Sequence, residues 1–149
     1  MLSRRLLLVA VLLLAAVPAA ALEKFAVSEV TIDTAGGPRK FMIELALTEA
    51  QLEQGLMWRP SMPADHGMLF DFREPTRVTM WMKNTLIPLD MLFLDADGRI
   101  VDIHERAVPR STDIIAAKAA VRYAIELNGG TAARLGIKPG DRVTLPEKQ

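Results

Sequence analysis

Lys40-Phe41-Met42-Ile43-Glu44-Leu45-Ala46-Leu47 decides the fold. Phe41, Ile43, Leu45 and Leu47 recur at every second position, which marks a strand with one buried face. Val27 to Asp33 reads as its hairpin partner, and Ala35-Gly36-Gly37-Pro38 supplies the turn between them. Downstream, Thr48 can cap a short helix, with Gln51 as the second half of a capping box and Gly55 at its end. Pro60 and Pro63 keep the stretch from Arg59 to Gly67 irregular. Short strand candidates follow: Met68–Phe72, Arg77–Met82, Leu89–Leu94, Arg99–Glu105, Val121–Leu127 and Arg142–Leu145. Asp95-Ala96-Asp97-Gly98 is a turn. Ser111 to Ala120 reads as a weak helix or an ordered loop, and Thr131 to Leu135 as one helical turn capped by Thr131 and stopped by Gly136. Many short strands with two short helices predict an α+β domain, predominantly β. Its sheet is expected to be antiparallel and to form a small barrel or a sandwich.

The N-terminal stretch reads as a targeting segment rather than as part of that domain. Arg4 and Arg5 precede an apolar run, Leu6 to Val17, that is too short to span a bilayer, and Ala19-Ala20-Ala21 offers small residues for a signal peptidase. The expectation is a signal peptide over residues 1–21, cleaved after Ala21, and one globular domain over 22–149. The protein would be periplasmic or secreted, free of the membrane after cleavage. Ser3-Arg4-Arg5 faintly resembles a twin-arginine signal, but the greasy run without a following Lys favours the ordinary secretory route.

The whole chain carries 18 basic and 18 acidic residues. Residues 1–21 hold two arginines and no acid, so the remainder has 16 against 18 and a formal charge of −2. That balance argues against nucleic acid as a partner. The absence of cysteine excludes disulfides, thiol catalysis, iron–sulfur clusters, cysteine-ligated zinc and a lipid anchor on cysteine.

Several segments carry a resemblance: Gly55-Leu56-Met57-Trp58-Arg59, Gly67-Met68-Leu69-Phe70-Asp71-Phe72, Trp81-Met82-Lys83-Asn84-Thr85, Pro88-Leu89-Asp90, Asp97-Gly98, Glu126-Leu127, Gly136-Ile137 and Gly140-Asp141. In this order they resemble the domain-of-unknown-function 192 family of small bacterial and archaeal proteins, from about Val27 to Leu145. Trp-Met-Lys-Asn-Thr with its Pro-Leu-Asp sequel is the most specific part. The resemblance implies a mostly β single domain and no established activity.

Trp81, Lys83, Asn84, Thr85, Asp90, Arg59 and Glu126 are the candidate binding residues. If Met80 and Met82 face the core, Trp81 points the other way and Lys83 continues its face. An aromatic wall, a cation and amide or hydroxyl groups on a rigid frame are the ingredients of a ligand site. The structural alternative has Asn84 and Thr85 bonding the turn and Asp90 paired with Lys83 or Arg59. Arg59 could clamp an anion or staple its loop. Glu126, inside Ala124-Ile125-Glu126-Leu127, is either an outward acid on an edge strand or a buried carboxyl. A buried one would need Lys83 or Arg59 as partner, or would serve as an acid or base. Asp97 and Asp141 read as turn residues. His66 and His104 stand at no ligand spacing, so no metal or other cofactor is expected.

The expected function is a non-catalytic or accessory binding module for a small polar or anionic ligand, or for an envelope protein. The alternatives are a small envelope hydrolase or lyase using Glu126 or Asp90, and a copper carrier built on Met42, Met57, Met62, Met68, Met80, Met82 and Met91. Soft thioethers suit copper(I), whereas core packing is their simpler use.

Overall fold

The computed structural model describes residues 21–146. Residues 1–20 of the expected signal segment lie outside the described residues. Ala26–Thr34 forms strand β1 and Gly37–Ala46 forms β2, paired antiparallel from Ala26 opposite Leu45 to Thr34 opposite Gly37. The period of two holds: Phe41, Ile43 and Leu45 are buried with Val30 and Ile32 of β1. Leu47, expected on the same face, lies past the end of β2 and is 40% exposed.

Helix α1, Glu49–Gln54, has the anticipated capping box between Thr48 and Gln51 and closes on Gly55 at φ 48°. The chain then runs irregularly to β3, His66–Thr76. β3 lies parallel to β2, with Met42 opposite His66 and Ala46 opposite Phe70. The expected antiparallel sheet is corrected at this one pairing. A parallel neighbour needs a long crossover, and here α1 and the Pro-interrupted loop provide it.

The remaining elements are β4 (Thr79–Met80), β5 (Leu89–Leu94), β6 (Ile100–Ala107), β7 (Ile115–Ala116), β8 (Val121–Asn128), helix α2 (Thr131–Leu135) and β9 (Arg142–Thr144). Seven strands form one sheet in the order β6-β5-β8-β3-β2-β1-β9, while β4 and β7 pair separately. The large sheet curls until its edges meet at one corner. There Arg99 bridges Arg142, the Ile100 amide donates to the Asp141 carbonyl (2.9 Å), and the Val143 amide to that of Gly98 (2.8 Å). Gly98 has φ +79°, and a Cβ there would stand 2.6 Å from the Val143 carbonyl oxygen, so a side chain would push the seam apart.

Alternation along the central strands builds two apolar layers. Ile43, Leu69, Leu92 and Ile125 pack inside the curl with Ile137 and Val143. Met68, Phe70, Met91, Phe93 and Ala124 face the other way and are covered by Leu56, Val78, Met82 and Ala117 from loops. β5 is consequently buried at all six positions.

One local expectation is corrected here, and of the two readings of Ser111 to Ala120 the ordered loop holds. The strand expected over Arg77–Met82 shrinks to Thr79–Met80. Beyond it the Met82 amide donates to the Ser111 carbonyl (3.0 Å) and the Thr85 amide to that of Met82 (3.0 Å), so the backbone is spent on a turn. Ser111 to Ala120 is an ordered loop containing β7, not a helix, and its Ala117 amide donates to the Val78 carbonyl at 3.0 Å.

Candidate functional site

On the loop-covered face, four segments enclose a cavity of about 610 Å³. They are α1 with Gly55-Leu56-Met57, the β3 residues Phe70 and Phe72, the turn Thr79–Thr85, and Glu126 of β8; Ala21 and Glu23 complete the lining. Apolar and polar side chains share the walls. The Phe70 and Phe72 rings stack with centroids 6.4 Å apart.

Glu126 reaches this cavity because β8 alternates. Tyr123, Ile125 and Leu127 turn inside the curl, so Ala124 and Glu126 turn toward the covered layer. In register, Glu126 stands between Met68 of β3 and Met91 of β5, both fully buried. The residue is 4% exposed. Among the described residues its carboxyl has no ion pair, and the only polar company comes from across the cavity. Loss of water without compensation pushes its pKa from the ordinary 4.5 up to about 8. The expectation of an edge-strand acid fails because β8 lies between β5 and β3. The expected pairing with Lys83 or Arg59 fails because both cations are engaged elsewhere.

Lys83 is exposed and holds its Nζ 5.1 Å from the centre of the Trp81 ring. Trp81, 44% exposed, stands at the cavity mouth, while Met82 beside it is fully buried, as the alternation requires. Met80 is half-buried and lines the cavity. Asn84 takes a left-handed φ of 58°, which asparagine tolerates better than most residues. Its side-chain nitrogen lies 3.9 Å from the Met57 sulfur, and its carbonyl accepts the Trp58 amide at 2.9 Å. Thr85 is buried and its carbonyl accepts the Arg110 amide at 3.0 Å.

Arg59 does not line the cavity. Its guanidinium pairs with Glu44 of β2 and lies 5.7 Å from the centre of the Phe25 ring. It therefore staples the crossover loop to the sheet. Asp90 is placed elsewhere too. Fully buried, it faces the inside of the curl, and its carboxylate accepts the amides of Arg106 (2.9 Å), Gly130 (2.9 Å) and Ala132 (2.8 Å). Asp90 thus supplies the cap expected from Thr131: the helix begins at Gly130 without a side-chain cap of its own. Its expected pairing with Lys83 or Arg59 is replaced by this backbone cradle, which engages both carboxylate oxygens.

The histidines stay apart from the cavity. His66 opens β3 beside Asp65 and His104 is exposed on β6. No group of three His, Asp or Glu able to hold a metal ion occurs among the described residues. Met68, Met82 and Met91 are fully buried in the outer layer, where thioethers serve as packing. Asp141 accepts the Lys138 amide at 2.8 Å, the local turn role expected of it.

Five of the seven sequence candidates, Trp81, Lys83, Asn84, Thr85 and Glu126, therefore share one cavity. Sequence reasoning did not single out the opposite wall of Gln54, Met57, Phe70 and Phe72. The signal was present, since Gly55-Leu56-Met57 and Gly67–Phe72 are among the segments that carry the family resemblance.

The DUF192 family model, described as "Uncharacterized ACR", matches residues 30–145. The chain belongs to the DUF192 family. The DUF192 match takes in every cavity residue beyond Glu23. Two crystal structures share the fold. One is of a Sinorhizobium meliloti 1021 protein provisionally described as a transcription regulator, with 52% identity, TM-score 0.79, and coverage of 81% of this chain and 95% of that one. The other is of a protein of unknown function from Novosphingobium aromaticivorans DSM 12444, with 40% identity, TM-score 0.80, and coverage of 88% and 94%. No curated protein matches the chain.

Proposed function

We propose that this DUF192 protein is a binding module that holds a small polar ligand in the cavity behind Trp81. One observation carries the reading: Glu126, 4% exposed and without a charged partner among the described residues, opens onto a cavity of about 610 Å³ with mixed polar and apolar walls. A buried polar group in a folded protein normally has a partner. Leaving a carboxyl without one costs stability, and a ligand that supplies hydrogen bonds explains why the cost is carried. The polar groups of Asn84 and Thr85 at the same cavity would orient such a ligand.

A second reading rests on the same carboxyl. With its pKa raised to about 8, Glu126 stays protonated at neutral pH, as a general acid must. An envelope hydrolase or lyase would also need a nucleophile or an oriented water. Of the two hydroxyls in the lining, that of Thr79 is on an exposed residue, and Thr85 points its Oγ1 at the Lys83 carbonyl (3.4 Å). Binding is therefore preferred over catalysis. Nucleic-acid recognition, suggested by the description of the Sinorhizobium protein, finds no support in a charge balance of 16 basic against 18 acidic residues beyond Ala21.

The reading includes export: Ala19-Ala20-Ala21 invites cleavage that would leave Leu22 first, and intact mass of envelope-derived protein checks it. The binding itself is tested by titrating a small-fragment set into labelled protein and following the Trp81 indole and the Asn84 side-chain amide by NMR. Fragments that shift these two signals together support the module. A set whose hits all map elsewhere overturns it.

A further inference from the structure

We propose that the ligand of this cavity carries a positively charged nitrogen on an apolar frame, and that its N–H groups bond the Glu126 carboxylate. The inference rests on the binding reading above and names the class of ligand. Three acids, Glu23, Glu53 and Glu126, line the cavity against one lysine, Lys83. The one lysine of the lining, Lys83, lies over the Trp81 ring and makes no ion pair with Glu126. An anion entering here would meet the carboxylates of Glu23 and Glu53, and it could not pair with Glu126 once that group ionises. A cation meets the reverse, and the Trp81, Phe70 and Phe72 rings suit both an apolar frame and an adjacent ammonium.

The geometry around Glu126 sharpens the choice. Its neighbours across the sheet are the thioethers of Met68 and Met91, which offer no hydrogen bond donor. Gly55, Leu56 and Met57 bring no ionisable group from the crossover, and the turn brings only Lys83. Gln54, Thr79, Asn84 and Thr85 are the neutral polar groups of the lining. The charged side chains that line the cavity with Glu126 are Glu23, Glu53 and Lys83, and cleavage after Ala21 would add the Leu22 α-ammonium next to Glu23. A primary ammonium or a guanidinium would supply the missing donors and the missing charge together.

This ligand class leaves a proton signature. In the empty cavity Glu126 holds its proton up to about pH 8. A cation pairs with the ionised form, so binding must expel that proton. Affinity for a cation therefore rises by close to tenfold per pH unit below pH 8 and levels off above. A neutral ligand that accepts from the protonated carboxyl binds with constant affinity below pH 8 and loses affinity above it.

The probes are benzylammonium, benzyl alcohol and benzoate, which share a frame and differ in charge. Titration calorimetry of the full mature chain from pH 6 to 9, in two buffers of unlike ionisation enthalpy, gives affinity and proton release. Benzylammonium should bind tightest, gain affinity toward pH 8 and release close to one proton per molecule below pH 7. Glu126→Gln, which keeps the shape, should lose the pH dependence and most of the affinity. Lys83→Ala should keep or strengthen binding. Benzyl alcohol or benzoate binding more tightly than benzylammonium overturns the cation inference, as does benzylammonium binding without proton release or binding that needs Lys83. The binding module itself stands or falls separately, on the wider fragment set at Trp81 and Asn84.

Discussion

Trp58 and Asn84 both hold left-handed backbone, at φ 67° and 58°, and the Trp58 amide donates to the Asn84 carbonyl at 2.9 Å. Two strained turns, one after α1 and one after Trp81, are thereby locked face to face at the cavity wall. Such conformations persist only where the surroundings over-determine them, and they gather at ligand clamps. Asn84→Gly should keep the turn and the stability of the wild type. Asn84→Ala should cost about 1 kcal/mol, because alanine resists this region. Urea unfolding of the two variants checks the difference; equal midpoints would show that the left-handed turn is not what matters at Asn84.

Glu126 makes stability depend on pH with a definite sign. The unfolded chain loses the proton near pH 4.5, whereas the folded one keeps it to about pH 8. The folded state thus binds more protons in that window, and stability falls as pH rises through it, then levels off. Below pH 4.5 the penalty vanishes. Glu126→Gln removes the titration, so its advantage over the wild type should grow between pH 5 and 8 to a few kcal/mol, at ~1.4 kcal/mol per unit. Melting curves at several pH values decide it, and parallel curves for the two proteins would refute the burial of an uncompensated carboxyl.

Asp90→Ala should be the most damaging of the single substitutions considered. It leaves the buried amide of Ala132 and the part-buried amides of Arg106 and Gly130 without an acceptor and frees the start of α2. The loss should be on the order of 3 kcal/mol or more. Asp90→Asn, which retains an acceptor oxygen, should fall between alanine and wild type in chemical denaturation.

Lys83→Ala and Arg59→Ala should both be mild, for different reasons. Lys83 loses an exposed contact with Trp81, worth less than about 1 kcal/mol. Arg59 loses a half-buried pair with Glu44 and its contact with Phe25, together about 1 kcal/mol. A loss of several kcal/mol for Lys83→Ala would mean that it neutralises Glu126 after all.

Gly98→Ala should loosen the seam of the sheet, by roughly 2 kcal/mol, since the new methyl meets the Val143 carbonyl and the backbone is left-handed. Hydrogen exchange at the Val143 and Ile100 amides should quicken before exchange elsewhere does.

The strands were legible in the sequence because their side chains alternate, and periodicity is a local signal: β1, β2, β5 and β8 fall where Val30, Phe41, Leu92 and Ile125 imply. The parallel pairing of β3 with β2 was not legible. The two strands are joined by α1 and a loop that could return the chain in either direction, and nothing local records which. The same limit applies to side chains whose partners are remote. Asp90 reads as a loop-end acid until Gly130 and Ala132, 40 and 42 positions away, arrive beside it. Glu126 was legible as an anomaly in an apolar strand. That no cation reaches it depends on where Arg59 and Lys83 find Glu44 and Trp81, which only the folded chain decides.

The pairing of β1 with β9 has a kinetic meaning. Thr31 lies opposite Thr144, 113 positions along the chain, so the first strand finds one of its neighbours only when the last has been made. Contacts of such separation slow folding, because a long loop must close before they form. Until β9 arrives, the far side of β1 is an unpaired edge, open to other strands in its surroundings. Truncation just before Arg142 should accordingly yield a chain that aggregates during refolding, even though most of its core residues are still present.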